Sequence, residues 1–346
     1  MERRLLAINP VDAPGGAETA LMRLLAGLAG NGWQVAMTTP GAGRLQALGL
    51  AAGYECHELP LGGIEPGEGA RALASWPRAR KLAAGRDAVL LNGAVCGRLL
   101  PALVPPLGTR VAGSVLLHIH DMVGRVPGFW RWADAVLTDS EAAARALRDL
   151  RAHVVYCPVD ADPPTATAPW PVGEGPVVGF VGRPEPRKGP LDLVRAAPLI
   201  RREIPEARVV VVGDEPYGLF PEYADQVATS EEVEHHAWNA NAPGLMRHLD
   251  VLVLPSYREP FGTVLAEAMA VGTPVVASRV DGLPEVVEDG VSGRLVEPGD
   301  PAGLAAAVLE VIARREELGA AARLSARRFH TPEHVRRVER VLEAAA

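Results

Sequence analysis

Cysteine, long apolar runs and surplus positive charge are what this sequence has least of. Its three cysteines, Cys56, Cys96 and Cys157, lie far apart and make neither a disulfide framework nor a metal-type spacing, which suits a reducing compartment. The first apolar run, LLAI at residues 5–8, stops at Asn9-Pro10 and is too short for the core of a signal peptide. No run reaches the length that crosses a bilayer. A soluble, cytoplasmic protein is the expectation. The net charge of −7 argues against a general nucleic-acid binder. Residues 1–165 carry 16 Lys/Arg against 15 Asp/Glu and residues 166–346 carry 19 against 27, so the acidity belongs to the second half.

What is present is apolar content of 48% in 346 residues. A single core stops growing at roughly 250–300 residues, so two domains are expected. Short apolar runs alternate with longer Ala/Leu/Arg-rich stretches, the βα pattern of a parallel sheet covered on both faces. Strands are predicted at 5–9, 33–39, 88–92, 111–119 and 135–139, with helices at 18–32 and at 141–150, the latter capped by Ser140. A proline-rich, aperiodic stretch at 157–175 reads as a linker. A second βα series follows, with strands at 177–182, 208–214, 233–238, 250–255 and 273–278. Helices are predicted at 191–204, 242–249 and 263–272, then at about 301–319 and 333–345. In such sheets ligands gather outside the carboxyl ends of the strands.

Three stretches have the composition of ligand loops. NPVDAPGGAETALM (9–22) leaves a strand and opens a helix. Gly15 and Gly16 remove side chains where the backbone meets a ligand, and the helix start favours an anion, although a tight turn explains the same residues. GRPEPRKG (182–189) presents Arg183 and Lys188, a donor fork and a mobile point charge suited to two phosphates or simply solvated. EPFGTVLAEAM (259–269) offers the amides of Gly262, Thr263 and Val264 at a helix start, with Glu267 one turn on along the same face. Glu259 precedes that helix. Two carboxylates there suit sugar or ribose hydroxyls, or they merely favour the positive helix end.

Together GGAE (15–18), the His120-Asp121 pair, GRPEPRKG (182–189) and EPFGTVLAEAM (259–269) resemble the GT4 family of retaining glycosyltransferases. The resemblance implies the GT-B fold: α/β, with two Rossmann-like domains facing each other across a deep cleft. It implies an N-terminal acceptor-side domain at 1–160, a linker at 161–176 and a C-terminal donor-side domain at 177–330. A final helix at 331–346 would pack back on the first domain. The implied activity is transfer of a sugar from a nucleotide-diphosphate sugar to a hydroxyl acceptor. Arg183 and Lys188 would bind the diphosphate, Gly16 would approach it, Glu259 would orient the donor sugar and Glu267 would hold the ribose. His120 corresponds to the family's histidine near the anomeric centre, and His118, two residues earlier on one strand face, is open to sharing its task. No metal is expected, since two cations supply the charge, and no nucleic-acid partner.

The base of the donor stays open. Trp238 fits either a nucleobase contact or the core. MVGRVPGFWRWAD (122–134) reads as an acceptor pocket, as packing or, less favoured, as a membrane contact. A nucleotide-sugar 2-epimerase of similar fold and a non-catalytic binder are the alternatives. The first glycine loop is wrong for a dehydrogenase.

Overall fold

The computed structural model describes residues 3–13, 15–62, 69–105 and 109–345. Pro14 of the glycine loop and Ala346 of the last expected helix lie outside the described residues. Two compact units emerge, residues 1–158 with 331–346, and residues 159–330.

The first unit is built on β1 (Arg3–Ile8), β2 (Trp33–Thr39), β3 (Glu55–Glu58), β4 (Ala88–Asn92), β5 (Ser114–Ile119), β6 (Ala135–Thr138) and β7 (His153–Val154). They form one parallel sheet in the order β3-β2-β1-β4-β5-β6-β7. The inner strands β4, β5 and β6 are buried along their whole length because both faces are covered. Leu5 and Ala7 enter one core with Leu24, Leu28 and Val338, while Leu6 and Ile8 enter the other with Leu99, Leu103 and Trp130. Each such buried leucine contributes about 1.5–3 kcal/mol.

The last helix, Thr331–Ala345, lies against the first, Gly16–Gly30, within this unit. A methyl group on Gly27 would come within 2.3 Å of Val335 Cγ2, so glycine sets the closeness of that packing. Glu339 anchors the same contact, accepting from Asn31 Nδ2 at 2.8 Å and from Trp33 Nε1 at 3.2 Å.

The second unit carries β8 (Val177–Val181), β9 (Arg208–Val212), β10 (Glu234–His236), β11 (Val251–Leu254), β12 (Val275–Ser278) and β13 (Gly293–Val296). Their order is β10-β9-β8-β11-β12-β13, all parallel. The proline-rich stretch is held to this unit by its carbonyls. Pro164 O accepts from Asn241 Nδ2 and Ala166 O from His248 Nε2, each at 2.7 Å.

Both sheets reverse their winding at one place, between β1 and β4 in the first and between β8 and β11 in the second. That is where a doubly wound sheet opens a crevice at its carboxyl edge. Among the described residues no helix is long and apolar enough to cross a membrane.

Candidate functional site

The loops leaving β8 and β11 are pressed together at the second switch point. Gly189 has φ +66°, and a Cβ on it would sit 2.2 Å from Pro255 O, so only glycine fits on both counts. Tyr257 N donates to Arg187 O at 2.8 Å, and Arg187 Nη1 donates to Arg258 O at 3.0 Å. This lacing brings Lys188 Nζ to 2.9 Å from Glu259 Oε2, with Arg187 Nη1 3.5 Å from the same oxygen. Lys188 and Glu259 are both largely buried, so the pair is screened less than a surface contact.

Arg183 joins the cluster through Glu185, which lies 3.5 Å from it and 2.8 Å from Arg187. The Arg183 guanidinium also lies over the Tyr217 ring, 5.3 Å from its centroid. Three cations and two carboxylates thus meet where the loops leave β8 and β11.

Glu259 is fixed from behind. Its amide donates to Asp281 Oδ2 at 3.0 Å and its carbonyl accepts from Gly282 N at 3.1 Å. Asp281 holds φ +42°, a conformation a non-glycine residue keeps only where its surroundings impose it. The helix Thr263–Ala270 begins at Thr263, after Gly262 at φ +80°. A side chain on Gly262 would meet Leu283 Cδ2 at 2.6 Å. Thr263, Val264 and Glu267 are half-buried on this helix. Trp238 is 50% exposed, so it is not core; its amide donates to Asp214 Oδ2 at 2.8 Å.

In the first unit Gly15 caps the helix Gly16–Gly30, and its amide donates to Glu18 Oε2 at 2.9 Å. Gly16 has open space where a side chain would begin. His120 follows β5. Its Nδ1 lies 2.8 Å from Asp139 Oδ2 and its Nε2 lies 2.7 Å from Asn92 Oδ1. His118 Nε2 lies 2.8 Å from Asp139 Oδ1.

Burial alone would push the His120 ring down, but the Asp139 carboxylate, with Glu18 and Asp121 beyond it, carries it above its usual value. Burial and the neighbouring His120 push His118 down to about 4. Burial opposes ionisation of Asp139, yet the two rings hold it well below the usual carboxylate range. Glu18 is raised, chiefly by burial. His118, His120 and Asp139 offer ligand atoms within 4.8 Å of one another, a grouping invisible in the sequence. Those atoms already face one another in hydrogen bonds.

Sequence reasoning singled out Arg183, Lys188 and Glu259, and the fold brings Lys188 and Glu259 into contact. It missed Glu185, Arg187 and Asp281, and in the first unit Glu18, Asn9, Asn92 and Asp139. A signal existed: the apolar strands at 5–8, 88–91 and 135–137 each run into a polar residue at the carboxyl edge. In the aromatic stretch at 122–134, Trp130 is buried and Phe129 and Trp132 are partly buried against the same core.

Residues 14–163 match the family model described as "Glycosyltransferase Family 4", and residues 175–314 that described as "Glycosyl transferases group 1". The chain belongs to glycosyltransferase family 4. Two D-inositol 3-phosphate glycosyltransferases are similar to it. The one from Segniliparus rotundus is 40% identical over 156 residues, 42% of this chain and 34% of that protein. The one from Geodermatophilus obscurus is 42% identical over 172 residues, 44% of this chain and 37% of that protein. The match therefore spans little more than a third of either relative's length. Among solved structures, Anabaena Alr3699/HepE in complex with UDP and glucose superposes with a TM-score of 0.82 at 23% identity, covering 98% of this chain and 99% of that one. The fold is GT-B, built from two Rossmann-like units.

Proposed function

We propose that this GT4 protein is a retaining glycosyltransferase moving a sugar from a nucleotide-diphosphate sugar to a hydroxyl acceptor. The observation that carries the reading is the Lys188–Glu259 contact at the switch point of the second sheet, with Arg183 and Arg187 beside it. In the reaction the bond from the anomeric carbon to the diphosphate oxygen breaks, and a bond from that carbon to the acceptor oxygen forms. The hydroxyl proton passes to the departing diphosphate. Arg183 and Lys188 offset the charge that develops there. Glu259 holds hydroxyls of the donor sugar, Glu267 those of the ribose, and the amides at Gly262, Thr263 and Val264 serve the phosphate.

The second unit is read as the donor side and the first as the acceptor side, with Gly15 and Gly16 of the first unit serving the donor's phosphates and His120 the anomeric region. Retention follows from family membership. UDP-sugars are the first donors to test, since HepE was solved with UDP-glucose. Cys56, Cys96 and Cys157 make no disulfide among the described residues, which fits a cytoplasmic setting. Three cations supply the charge a metal would bring, so chelator-treated protein is expected to keep its activity.

The test is a thermal-shift panel of nucleotides and nucleotide sugars, because a ligand that binds the folded state stabilises it by mass action. One nucleoside diphosphate and its sugar should raise the melting temperature, and Lys188→Ala should abolish the shift. No shift with any nucleotide, or an unchanged shift in Lys188→Ala, would remove the assignment.

A further inference from the structure

The polar residues at the carboxyl edge of the first sheet form a hydrogen-bond chain whose direction is fixed. A carbonyl only accepts, so Asn9 turns its Nδ2 to Val11 O at 2.6 Å. Asn9 Oδ1 then accepts from Asn92 Nδ2 at 2.7 Å, which leaves Asn92 Oδ1 facing His120 Nε2 at 2.7 Å. Two side-chain amides thus pass on the polarity of one backbone carbonyl, and His120 Nε2 must carry a hydrogen. On the opposite edge of the ring, Nδ1 is taken up by Asp139 Oδ2. Neither ring nitrogen keeps a lone pair for a substrate.

The other oxygen of Asp139 receives the N–H of neutral His118, which favours the ionised carboxylate. Glu18 from the helix Gly16–Gly30 and Asp121 from the loop after β5 add negative charge around the ring. His334, from the last helix, stacks with His118 with centroids 6.4 Å apart, and its Nδ1 donates to Tyr156 O at 2.8 Å.

We propose that Asp139 and Asn92 are positioning residues that hold His120 as an imidazolium in one ring orientation, so that it serves as a stationary positive charge and not as a base. The inference rests on the glycosyltransferase reading, and it narrows that reading. The acceptor proton cannot go to His120 and must leave by another route, the departing diphosphate being the one named above.

The experiment reads the ring without substrate, so its failure is distinct from failure of the transferase assignment. In the full chain labelled with 15N, the His120 signals, assigned by their loss in His120→Gln, are followed from about pH 5.5 to about 8.5. Both ring nitrogens should keep the shifts of a protonated imidazole throughout. A titration centred near the ordinary value of about 6.5 would overturn the proposal. In Asp139→Asn the ring should titrate near that value, and the transfer rate should gain a decline on its alkaline side with a smaller change in donor KM. An unchanged spectrum and pH profile in Asp139→Asn would equally overturn it. The wild-type spectrum alone decides the matter where that variant does not fold.

Discussion

Lys188 and Glu259 neutralise each other across 2.9 Å, although one is assigned to phosphate and the other to sugar hydroxyls. A diphosphate that reaches Lys188 must compete with that carboxylate. Glu259→Gln keeps the shape and removes the competitor, so nucleoside diphosphate should bind about 3–10-fold tighter, worth roughly 1 kcal/mol. Sugar transfer should nevertheless fall at least about tenfold, because an oriented acceptor of hydroxyl hydrogen bonds is weakened. Calorimetry and initial rates separate the two effects. The chain has two lysines, Lys81 and Lys188, so protection of one amine from acylation reports occupancy directly. Weaker diphosphate binding in Glu259→Gln would show that the pair is not a competition.

Gly16 and Gly189 differ in what an added Cβ would meet. At Gly16 a side chain meets nothing within 4 Å, whereas at Gly189 it meets a backbone carbonyl at 2.2 Å with φ at +66°. Gly16→Val should leave stability within about 0.5 kcal/mol and still lower transfer about tenfold or more. Gly189→Ala should cost roughly 2–4 kcal/mol, from the left-handed backbone and the collision together. Denaturant titrations beside rates check both. A Gly16→Val protein with full activity would take Gly16 out of the site.

Tyr217 supports the Arg183 guanidinium from one side while Glu185 draws it from another. A partly exposed cation–π contact is worth about 0.5–1 kcal/mol. Tyr217→Leu should therefore weaken diphosphate binding about 2–5-fold, and Tyr217→Phe should restore it. Equal loss in both variants would mean that the hydroxyl, not the ring face, matters.

How far the molecule is legible in its sequence follows from which interactions are local. The strands predicted at 33–39 and 88–92 are found at those bounds, because a run buried on both faces announces itself. Ser140 caps its helix as expected, accepting from Ala143 N at 3.0 Å. The helix it opens, Glu141–Ala146, stops short of the predicted 150. Edge strands β3 and β7 went unseen, and β3 reads ECHE, polar because only one flank is paired and its faces are thinly covered. The β13 run GRLV is short and opens on glycine. In the site, Arg183 and Lys188 stood out because charge in a glycine loop is conspicuous. Asp139 and Asn92 did not, because their meaning lies in meeting His120 from 19 and 28 residues away. Sequence spacing carries no such distances.

His118 gives the acid side of the stability curve a definite sign. Burial and the neighbouring His120 push its ring down to about 4, whereas in the unfolded chain it titrates near about 6.5. Between those values the unfolded chain binds more protons than the native one. The contribution of His118 is thus fully present above about 6.5 and is lost as pH falls toward about 4, amounting to roughly 2 kcal/mol by pH 5. His334, lowered chiefly by burial, acts in the same direction. His120, raised, acts in the opposite one: its contribution is present below its unfolded value and lost as pH climbs through its native value. His118→Gln retains an amide that can donate to Asp139 Oδ1 and no longer titrates. Comparing denaturant midpoints at pH 7 and pH 5, the wild type should lose about 2 kcal/mol more than His118→Gln. Parallel losses would mean that His118 is protonated in the folded protein, and with that the hydrogen-bond scheme around Asp139 would need a different proton count.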